Sequence, residues 1–271
     1  MSKRIDIAGV RFDPIRYDDV LMAVEAFVHL DRQHMIVTPN PEMVVNAQGH
    51  SEFRSILNHA SLSIPDGIGI LWAAYYLSLP KSKSSFIEFV RVMGSLFKVL
   101  FKSKSIHSIL PQRVTGSDLL LKIVDRSQQA QWRIFLLGAA PGVAEVAVDR
   151  LLEQYPQSIF AGTFAGTPEP SHEDDLVRRI NLAQPDILFV AYGSPAQEEW
   201  IARNLKKLNT TKVVVGVGGA IDFAAGRAKR APQFMQKIGL EWLWRLVREP
   251  RRIKRIWTAT VVFVRMIVGY K

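Results

Sequence analysis

Short apolar runs alternate with helix-period stretches over most of this chain, and this alternation constrains the fold more than any other feature. The apolar runs occupy residues 35–37, 62–64, 133–137, 158–164, 186–192 and 212–217. Each run ends in turn residues, such as Pro65-Asp66-Gly67, and a stretch with apolar residues at helical spacing follows it. Strand, loop and helix repeated in this order predict an α/β fold, with a Rossmann-like parallel sheet covered by helices on both faces.

Polar residues and glycines come directly after the predicted strands. They are Thr38, Asn40, Asp66, Gly138, Gly193, Gln197, Gly218, Gly219 and Asp222. Ligands of open parallel sheets bind in a crevice outside the carboxyl ends of the strands. We therefore expect these residues, which are scattered through the sequence, to surround one crevice, with residues 131–226 forming a nucleotide-binding half.

Composition excludes several classes of protein and of site. The chain has no cysteine, which excludes disulfide scaffolds, thiolate catalysis and cysteine-ligated metal sites. With 48% hydrophobic and 22% charged residues, the chain is typical of an ordered globular protein. The N-terminal stretch MSKRIDIAGVRFDP lacks the apolar segment of a signal peptide, so we expect a protein that is not secreted.

The C-terminal end of the chain carries the whole excess of positive charge. Residues 227–271 contain 12 Lys and Arg against two Glu, whereas residues 1–226 contain 23 basic and 23 acidic residues. The sequence therefore divides into an α/β core, residues 1–226, and a basic, amphipathic, helical C-terminal appendage, residues 227–271. From Ile253 onward the apolar residues follow one helical stripe, and Arg265 interrupts it too early for a membrane-spanning helix of about 18 apolar residues.

A helix of this kind is typical of a peripheral protein on an anionic membrane surface, which we expect to be a cytoplasmic face. Two alternatives stay open from the sequence. The helix also fits packing against its own domain, or against a second copy in a homo-oligomer. Arginine clusters also bind nucleic acid, but the Trp and Val content favours lipid, and we expect no nucleic-acid partner.

Residues 81–110 interrupt the rhythm of strand, loop and helix. They carry six Lys or Arg and one Glu. Their apolar residues fall at helical spacing and are Phe86, Phe89, Val90, Met93, Leu96, Phe97, Leu100 and Phe101. The pattern predicts a basic amphipathic helix inserted into the core. A second membrane contact explains it as well as a mobile lid or a packing insertion does.

Seven segments between Thr38 and Arg255 carry most of the functional information. They are TPNPEMVVNAQ at 38–48, IPDGIGILWAA at 64–74, RVTGSDLL at 113–120, FLLGAAPGVAE at 135–145, PDILFVAYGSPAQEEWIARN at 185–204, GVGGAIDFAAGRAKRAPQFMQKIGLEWLWRL at 216–246 and EPRRIKR at 249–255. Together, and in this order, they resemble the WecG/TagA/CpsF family of bacterial glycosyltransferases. The resemblance implies inverting transfer of an N-acetylmannosamine-like sugar, or of glucose or a uronic acid, from a UDP-sugar donor to a polyprenyl-diphosphate-linked sugar acceptor. Such enzymes serve teichoic acid and exopolysaccharide synthesis.

Asp66 is the residue that we expect to act as general base. In a single displacement, the acceptor hydroxyl loses its proton as it attacks the anomeric carbon, and a carboxylate within hydrogen-bond reach accepts that proton. The alternative is that Asp66 only caps the following helix, because Asp is a favoured N-cap residue. The resemblance favours the catalytic role.

The departing UDP needs positive charge, and protein groups are expected to supply it. The chain has no Asp-x-Asp triplet, the metal-binding motif of many sugar-nucleotide transferases, so we expect a metal-independent enzyme without a cofactor. Backbone N–H groups at the helix that starts after Gly138 are one source of positive charge. The resemblance adds four arginines, for which solvated or lipid-facing positions are the alternative: Arg113, Arg245, Arg252 and Arg255.

The same resemblance implies contacts to the sugars. Thr38 and Asn40 are expected to touch the donor or acceptor sugar, although Asn40 before a proline equally predicts the start of a helix. Gln197 is expected to hydrogen-bond a sugar hydroxyl or acetamido group.

Asp222 is expected to bind nucleotide, with Gly218 and Gly219 letting the backbone approach it; tight turns explain these glycines equally well. One rival function is a Rossmann-type nucleotide enzyme such as a dehydrogenase, but LLGAAPG does not match the expected Gly-x-Gly-x-x-Gly turn. The other is a non-catalytic, membrane-recruited binding module, in which Asp66 does no more than cap a helix.

Overall fold

The computed structural model describes residues 3–82, 84–100, 104–228, 231–232, 235, 241–248, 250 and 253–271. Its strands are β1 (Ile5–Ile7), β2 (Val10–Phe12), β3 (His34–Val37), β4 (Leu62–Ser63), β5 (Arg133–Gly138), β6 (Ile159–Phe164), β7 (Ile187–Ala191) and β8 (Val213–Gly216). The first two form an antiparallel hairpin, and the other six form one sheet in the order β4-β3-β8-β7-β5-β6. All pairs in this sheet are parallel, which confirms the predicted fold class.

The helices are α1 (Tyr17–Val28), α2 (Pro41–Gly49), α3 (Ser51–His59), α4 (Ile68–Ser78), α5 (Ser85–Leu100), α6 (Gly116–Ala130), α7 (Val143–Gln154), α8 (Glu173–Ala183), α9 (Ala196–Asn204), α10 (Ala220–Ala224), α11 (Glu241–Arg248), α12 (Ile253–Trp257) and α13 (Phe263–Tyr270). A π-helical turn, Thr258–Val262, joins the last two into a continuous C-terminal helix, residues 253–270. None of the helices in the described part of the chain has the length and apolar character needed to cross a membrane.

Two hydrophobic layers cover the sheet, because successive side chains of a strand point to opposite faces. In β3, Ile36 joins one layer, and Met35 and Val37 join the other. The first layer is closed by α1, α6, α7 and α10. The second is closed by α2, α3, α4, α8, α9 and the C-terminal helix.

The strand order changes direction between β5 and β7. From β5 it continues through α7 to β6, and from β7 it continues through α9 to β8, on the opposite side. Since α7 and α9 lie on opposite faces of the sheet, the loops after β5 and β7 diverge. Such a switch point is where ligands of open α/β sheets bind.

One predicted element differs from the structure. The helix-period stretch that follows the first apolar run, residues 42–60, predicts one helix, but the structure divides it into α2 and α3 at His50, whose backbone has φ −128° and ψ 87°. Gly49 precedes the break, and glycine costs about 1 kcal/mol relative to alanine within a helix. The two helices therefore turn separately around the edge of the sheet.

Candidate active site

The loops after β3 and β4 hold Asp66 beside the segment that carries Arg113. The Asp66 N–H donates to the carbonyl of Pro39 at 3.1 Å, which joins the two loops. The Val114 N–H donates to the carbonyl of Pro65 at 3.0 Å. Asp66 and Arg113 are each one residue away from this second pair, and both are half-buried. The structure therefore brings together two site residues that are far apart in sequence.

Asp66 does not occupy the cap position of α4. That helix begins at Ile68, and its N-cap residue is Gly67, with φ +100°. Asp66 lies one residue earlier, so the alternative in which it serves as the helix cap does not describe this structure. A positive φ at Gly67 also lets the chain turn sharply out of the Asp66 loop into α4.

A hydrogen-bonded cluster behind Asp66 was missed from the sequence. The Tyr17 hydroxyl accepts from the Thr115 N–H at 2.9 Å and donates to Asp118 Oδ2 at 3.2 Å. Thr115 Oγ1 donates to the same oxygen at 2.8 Å and caps α6. Burial, and then the charge of Asp118, raise the pKa of Tyr17, and Asp66 lies close enough to add to the rise. The Thr115–Asp118 spacing signals a helix start, but nothing in the sequence pairs Tyr17 with it.

Thr38 and Asn40 lie in the loop after β3. Thr38 is buried, and its hydroxyl donates to the carbonyl of Gly216 at 3.3 Å, at the end of β8. Asn40 is the N-cap of α2, because its side-chain oxygen accepts from the Met43 N–H at 3.0 Å. The helix-start interpretation of Asn40 is therefore confirmed, and its sugar contact stays a prediction.

Gln197 fastens the loops after β7 and β8 to each other. Its Oε1 accepts from the N–H groups of Gly193, at 3.2 Å, and Gly218, at 2.9 Å. The side chain is buried, and its Nε2 donates to Glu198 Oε1 at 2.6 Å. These contacts show Gln197 positioning the backbone at the crevice, while the predicted hydrogen bond to a sugar remains a prediction.

Glu198 is a buried carboxyl that the sequence did not single out as a site residue. It has no exposed surface, and burial raises its pKa to about 7. Its Oε1 accepts from Gln197, whereas its Oε2 has no hydrogen-bond partner among the described residues. The sequence places Glu198 in the first turn of α9, but it gives no signal that the side chain turns inward.

The glycines at the crevice do two different things. Gly138 has φ +101°, and a Cβ added there would lie 2.8 Å from the Ala191 carbonyl carbon, so it lets β5 and β7 approach closely. At Gly218, with φ +52°, and at Gly219, an added Cβ would meet no atom within 4 Å. These two border open space, as a backbone that contacts a ligand requires. Asp222 follows them, half-buried in the first turn of α10.

Comparison with known proteins identifies the family. The sequence profile of the "Glycosyl transferase WecG/TagA/CpsF family" matches residues 5–104 and 95–271. The chain belongs to this family. It is 30% identical over 257 residues to the "N-acetylglucosaminyldiphosphoundecaprenol N-acetyl-beta-D-mannosaminyltransferase" of Staphylococcus aureus strain MW2, and equally to that of strain NCTC 8325. Each alignment covers 94% of this chain and 89% of the relative.

Of the predicted C-terminal arginines in this WecG/TagA/CpsF glycosyltransferase, the structure describes the contacts of Arg255, which lies at the end of the sheet that carries the β3 loop. Arg255 Nε lies 2.8 and 3.0 Å from the two carboxylate oxygens of Glu42, in the first turn of α2. Arg255 is therefore near the loop of Thr38 and Asn40. Arg252 lies outside the described residues, as does the side chain of Arg245 in α11.

No metal-ligand cluster is found in the described ranges of the chain, where no three His, Asp or Glu side chains are grouped to hold a metal ion. Positive groups lie after several strands of the sheet. Arg113 and Arg255 lie by the loops after β4 and β3, and the N-terminus of α7, whose cap residue Gly142 has no side chain, follows β5. Independence of metal stays a prediction that activity must test.

Proposed function

We propose that this protein is an inverting transferase that moves an N-acetylmannosamine-type sugar from a UDP-sugar to a sugar carried on polyprenyl diphosphate. The printed activity of the Staphylococcus aureus relatives, an N-acetyl-β-D-mannosaminyl transfer to a diphosphoundecaprenol-linked N-acetylglucosamine, supports the sugar and acceptor classes. Identity of 30% over nearly the whole chain leaves the sugar to be determined by experiment.

The position of Asp66 is the observation that carries the proposal. The carboxylate follows β4, its loop is tied to the loop after β3 through Pro39, and it does not cap α4. A half-buried carboxylate at the carboxyl end of a parallel sheet is where the reacting part of a ligand lies. Asp66 therefore combines the location and the chemistry that a general base needs.

The reaction balances with one carboxylate. The acceptor hydroxyl oxygen attacks the anomeric carbon of the donor and forms the new glycosidic bond, while the bond from that carbon to the UDP oxygen breaks. The hydroxyl proton passes to Asp66, and the bonding electrons leave with UDP. A diphosphate leaves as a stable anion, so it needs electrostatic stabilisation rather than a general acid.

Protein cations take the role of the metal in this proposal. Arg113 and Asp66 flank the backbone hydrogen bond between Val114 and Pro65. The Arg255 side chain pairs with Glu42 in the first turn of α2. Guanidinium groups bind phosphate oxygens through paired, charge-assisted hydrogen bonds. The N-terminus of α7, beside the switch point between β5 and β7, adds backbone N–H groups that favour an anion.

The membrane location follows from the acceptor. A polyprenyl chain stays in the bilayer, so the enzyme must work at the membrane surface. We propose peripheral attachment at the cytoplasmic face, supported by the basic C-terminal region and by the exposure of Ile253, Trp257 and Val261 on the C-terminal helix.

A donor and acceptor panel tests the proposal. The protein is incubated with separate UDP-sugars and a short-chain prenyl-diphosphate N-acetylglucosamine, with and without EDTA, and the products are identified by mass spectrometry. We expect one N-acetylhexosamine donor to add a single sugar and release UDP, with the same yield in EDTA. A failure to transfer from every UDP-sugar would overturn the function, and loss of activity in EDTA would overturn the metal-free mechanism.

A further inference from the structure

Helix α5 packs on α4 through polar side chains as well as apolar ones, and it leaves other apolar side chains in solvent. On its inner side, Trp72 Nε1 of α4 donates to Ser95 Oγ at 2.9 Å, and the Tyr76 hydroxyl donates to Glu88 Oε1 at 2.5 Å. Ser95 is buried, together with partly buried apolar neighbours that join the core. Surface helices usually place their polar residues in solvent. Because α5 directs these two polar side chains toward α4, several of its apolar side chains remain in solvent.

The outer face of α5 consists of six apolar side chains with exposed fractions between 41% and 74%. They are Phe86, Ile87, Phe89, Val90, Met93 and Phe97. Their separations of three and four residues line them up along the helix. A contiguous exposed apolar surface of this kind marks an interaction site rather than an ordinary surface.

The segment that carries this face is basic, and Lys81 and Lys104, on either side of α5 in the sequence, are exposed. Residues 81–110 contain six Lys or Arg and a single acidic residue, Glu88. Glu88 Oε1 lies 3.0 Å from Lys271 Nζ, and Arg91 is 3.5 Å from Glu88 Oε2. The Tyr76 hydroxyl and Lys271 lower the pKa of Glu88 to about 2, so the carboxylate stays charged and paired near neutral pH. The partner that this region attracts is therefore negatively charged as well as apolar.

The C-terminal helix, like α5, packs against α4. The Trp72 ring, whose Nε1 bonds to α5, also contacts Phe263 edge-on, with ring centroids 6.4 Å apart. Lys271 sits over the Tyr76 ring at 4.1 Å while it pairs with Glu88 of α5. Both α5 and the C-terminal helix thus pack on α4, and both carry exposed apolar residues.

We propose that the outer face of α5 inserts into the headgroup region of an anionic bilayer, as a membrane contact additional to the C-terminal helix. An anionic leaflet satisfies both the exposed apolar side chains and the net positive charge of residues 81–110. A second copy of the chain satisfies only the apolar side chains, because a symmetric contact would bring two basic segments together. Two contacts on α4, the helix that begins just after Asp66, would set the angle between the crevice and the membrane. The inference goes beyond the proposed reaction, since it needs no turnover.

Vesicle binding by the full chain tests the proposal. The triple variant Phe86→Ser, Phe89→Ser and Val90→Ser removes exposed apolar surface and leaves the contacts to α4. The control variant Met22→Ser, Val146→Ser and Leu182→Ser changes equally exposed side chains on α1, α7 and α8. With vesicles of equal parts phosphatidylglycerol and phosphatidylcholine, we expect the first variant to bind at least roughly 30-fold more weakly. Each side chain that is half-inserted into the bilayer should raise the binding constant about threefold to tenfold. The control should bind like the natural chain.

A site-specific probe separates insertion from other causes. The chain has no cysteine, so Phe89→Cys and Leu182→Cys each provide one site for an environment-sensitive fluorophore. We expect the label at position 89 to shift to the blue on addition of the anionic vesicles, and the label at position 182 to stay unchanged. The Asp66→Asn variant should bind vesicles normally, so failure of the catalytic proposal would not affect this result.

Two results would overturn the proposal. One is unchanged vesicle affinity of the triple variant, together with an unshifted label at position 89. The other is a dimer in sedimentation experiments without lipid that the triple variant converts to monomer while vesicle binding persists. That outcome would assign the outer face of α5 to a second copy of the chain.

Discussion

Two residues in the first turn of α9, Gln197 and Glu198, connect a buried carboxyl to the loops after β7 and β8. Glu198 holds Gln197, and Gln197 holds the N–H groups of Gly193 and Gly218. An added Cβ at Gly216 would lie only 2.9 Å from Gln197 Nε2, so the pair fits tightly against β8.

The pH dependence of stability tests the state of Glu198. Its pKa is about 7 in the folded protein and 4.5 in a model peptide, so folding favours the protonated form. The contribution of Glu198 to the free energy of unfolding is therefore fully present below about pH 4.5, falls by about 3 kcal/mol between about pH 4.5 and 7, and then levels off. Glu198→Gln should remove this component, as measured by urea unfolding at about pH 5 and about pH 8. The neighbouring Glu199→Gln should retain it; an equal pH dependence in both variants would contradict the assignment.

Two roles are open to Arg255, stabilisation of the departing diphosphate and attachment to the membrane. The variant Arg255→Ala distinguishes them, because its ion pair with Glu42 is weak. The pair with Glu42 is half exposed, so it contributes little to stability, on the order of 0.5 kcal/mol. If Arg255 stabilises the departing diphosphate, Arg255→Ala should lower kcat/KM for the donor roughly 10- to 100-fold with unchanged unfolding by urea. Glu42→Gln keeps the guanidinium and serves as the control. Normal transfer with weakened vesicle binding would make Arg255 an anchor only.

At the scale of elements, the C-terminal helix is part of the hydrophobic core as well as a candidate membrane contact. Phe263 and Ile267 are buried, whereas Ile253, Trp257 and Val261 are exposed. The apolar residues of this helix are therefore divided between two faces: its core packing agrees with the alternative that the sequence left open, and contact of its exposed face with a membrane stays a prediction. Packing of Phe263 against Trp72 is the physical reason.

Truncation of this helix would consequently damage the fold as well as any membrane contact. We expect Phe263→Ala to lower the free energy of unfolding by roughly 3–5 kcal/mol, because it leaves a cavity beside α4. The exposed Val261→Ala, in the same helix, should change it by about 0.5 kcal/mol or less. Urea unfolding followed by tryptophan fluorescence measures both. Equal, small effects would show that the helix does not pack on the core.

Over the whole molecule, the sequence predicted the main sheet well and the site partly. The six strands of the sheet lie within one residue of their predicted ends, because continuous apolar runs bounded by turn residues are typical of doubly covered parallel strands. The β1–β2 hairpin was missed, since its strands have three residues each and its turn uses Ala8 and Gly9 at positive φ. Local pattern does not reveal pairs of that length.

In the site, too, residues with a local sequence signal were predicted, and residues whose contacts form only on folding were missed. Residues at strand ends were found because parallel strands bring their carboxyl ends together, as Asp66 and Pro39 show. Tyr17 and Glu198 were missed, because their roles depend on side chains that approach through folding. Tyr17 meets Thr115 across 98 residues of sequence. A linear pattern carries no trace of such a pair.

The transfer rate of Asp66→Asn is the measurement that tests the central claim most directly. The natural chain, Asp66→Asn and the control Asp174→Asn, whose side chain is fully exposed on α8, are compared with the donor and lipid-linked acceptor at saturation. Loss of the general base should lower kcat roughly 100- to 10,000-fold while UDP binding persists, and Asp174→Asn should retain full activity. If Asp66→Asn transfers sugar as fast as the natural chain, Asp66 is not the base and the proposed mechanism is wrong.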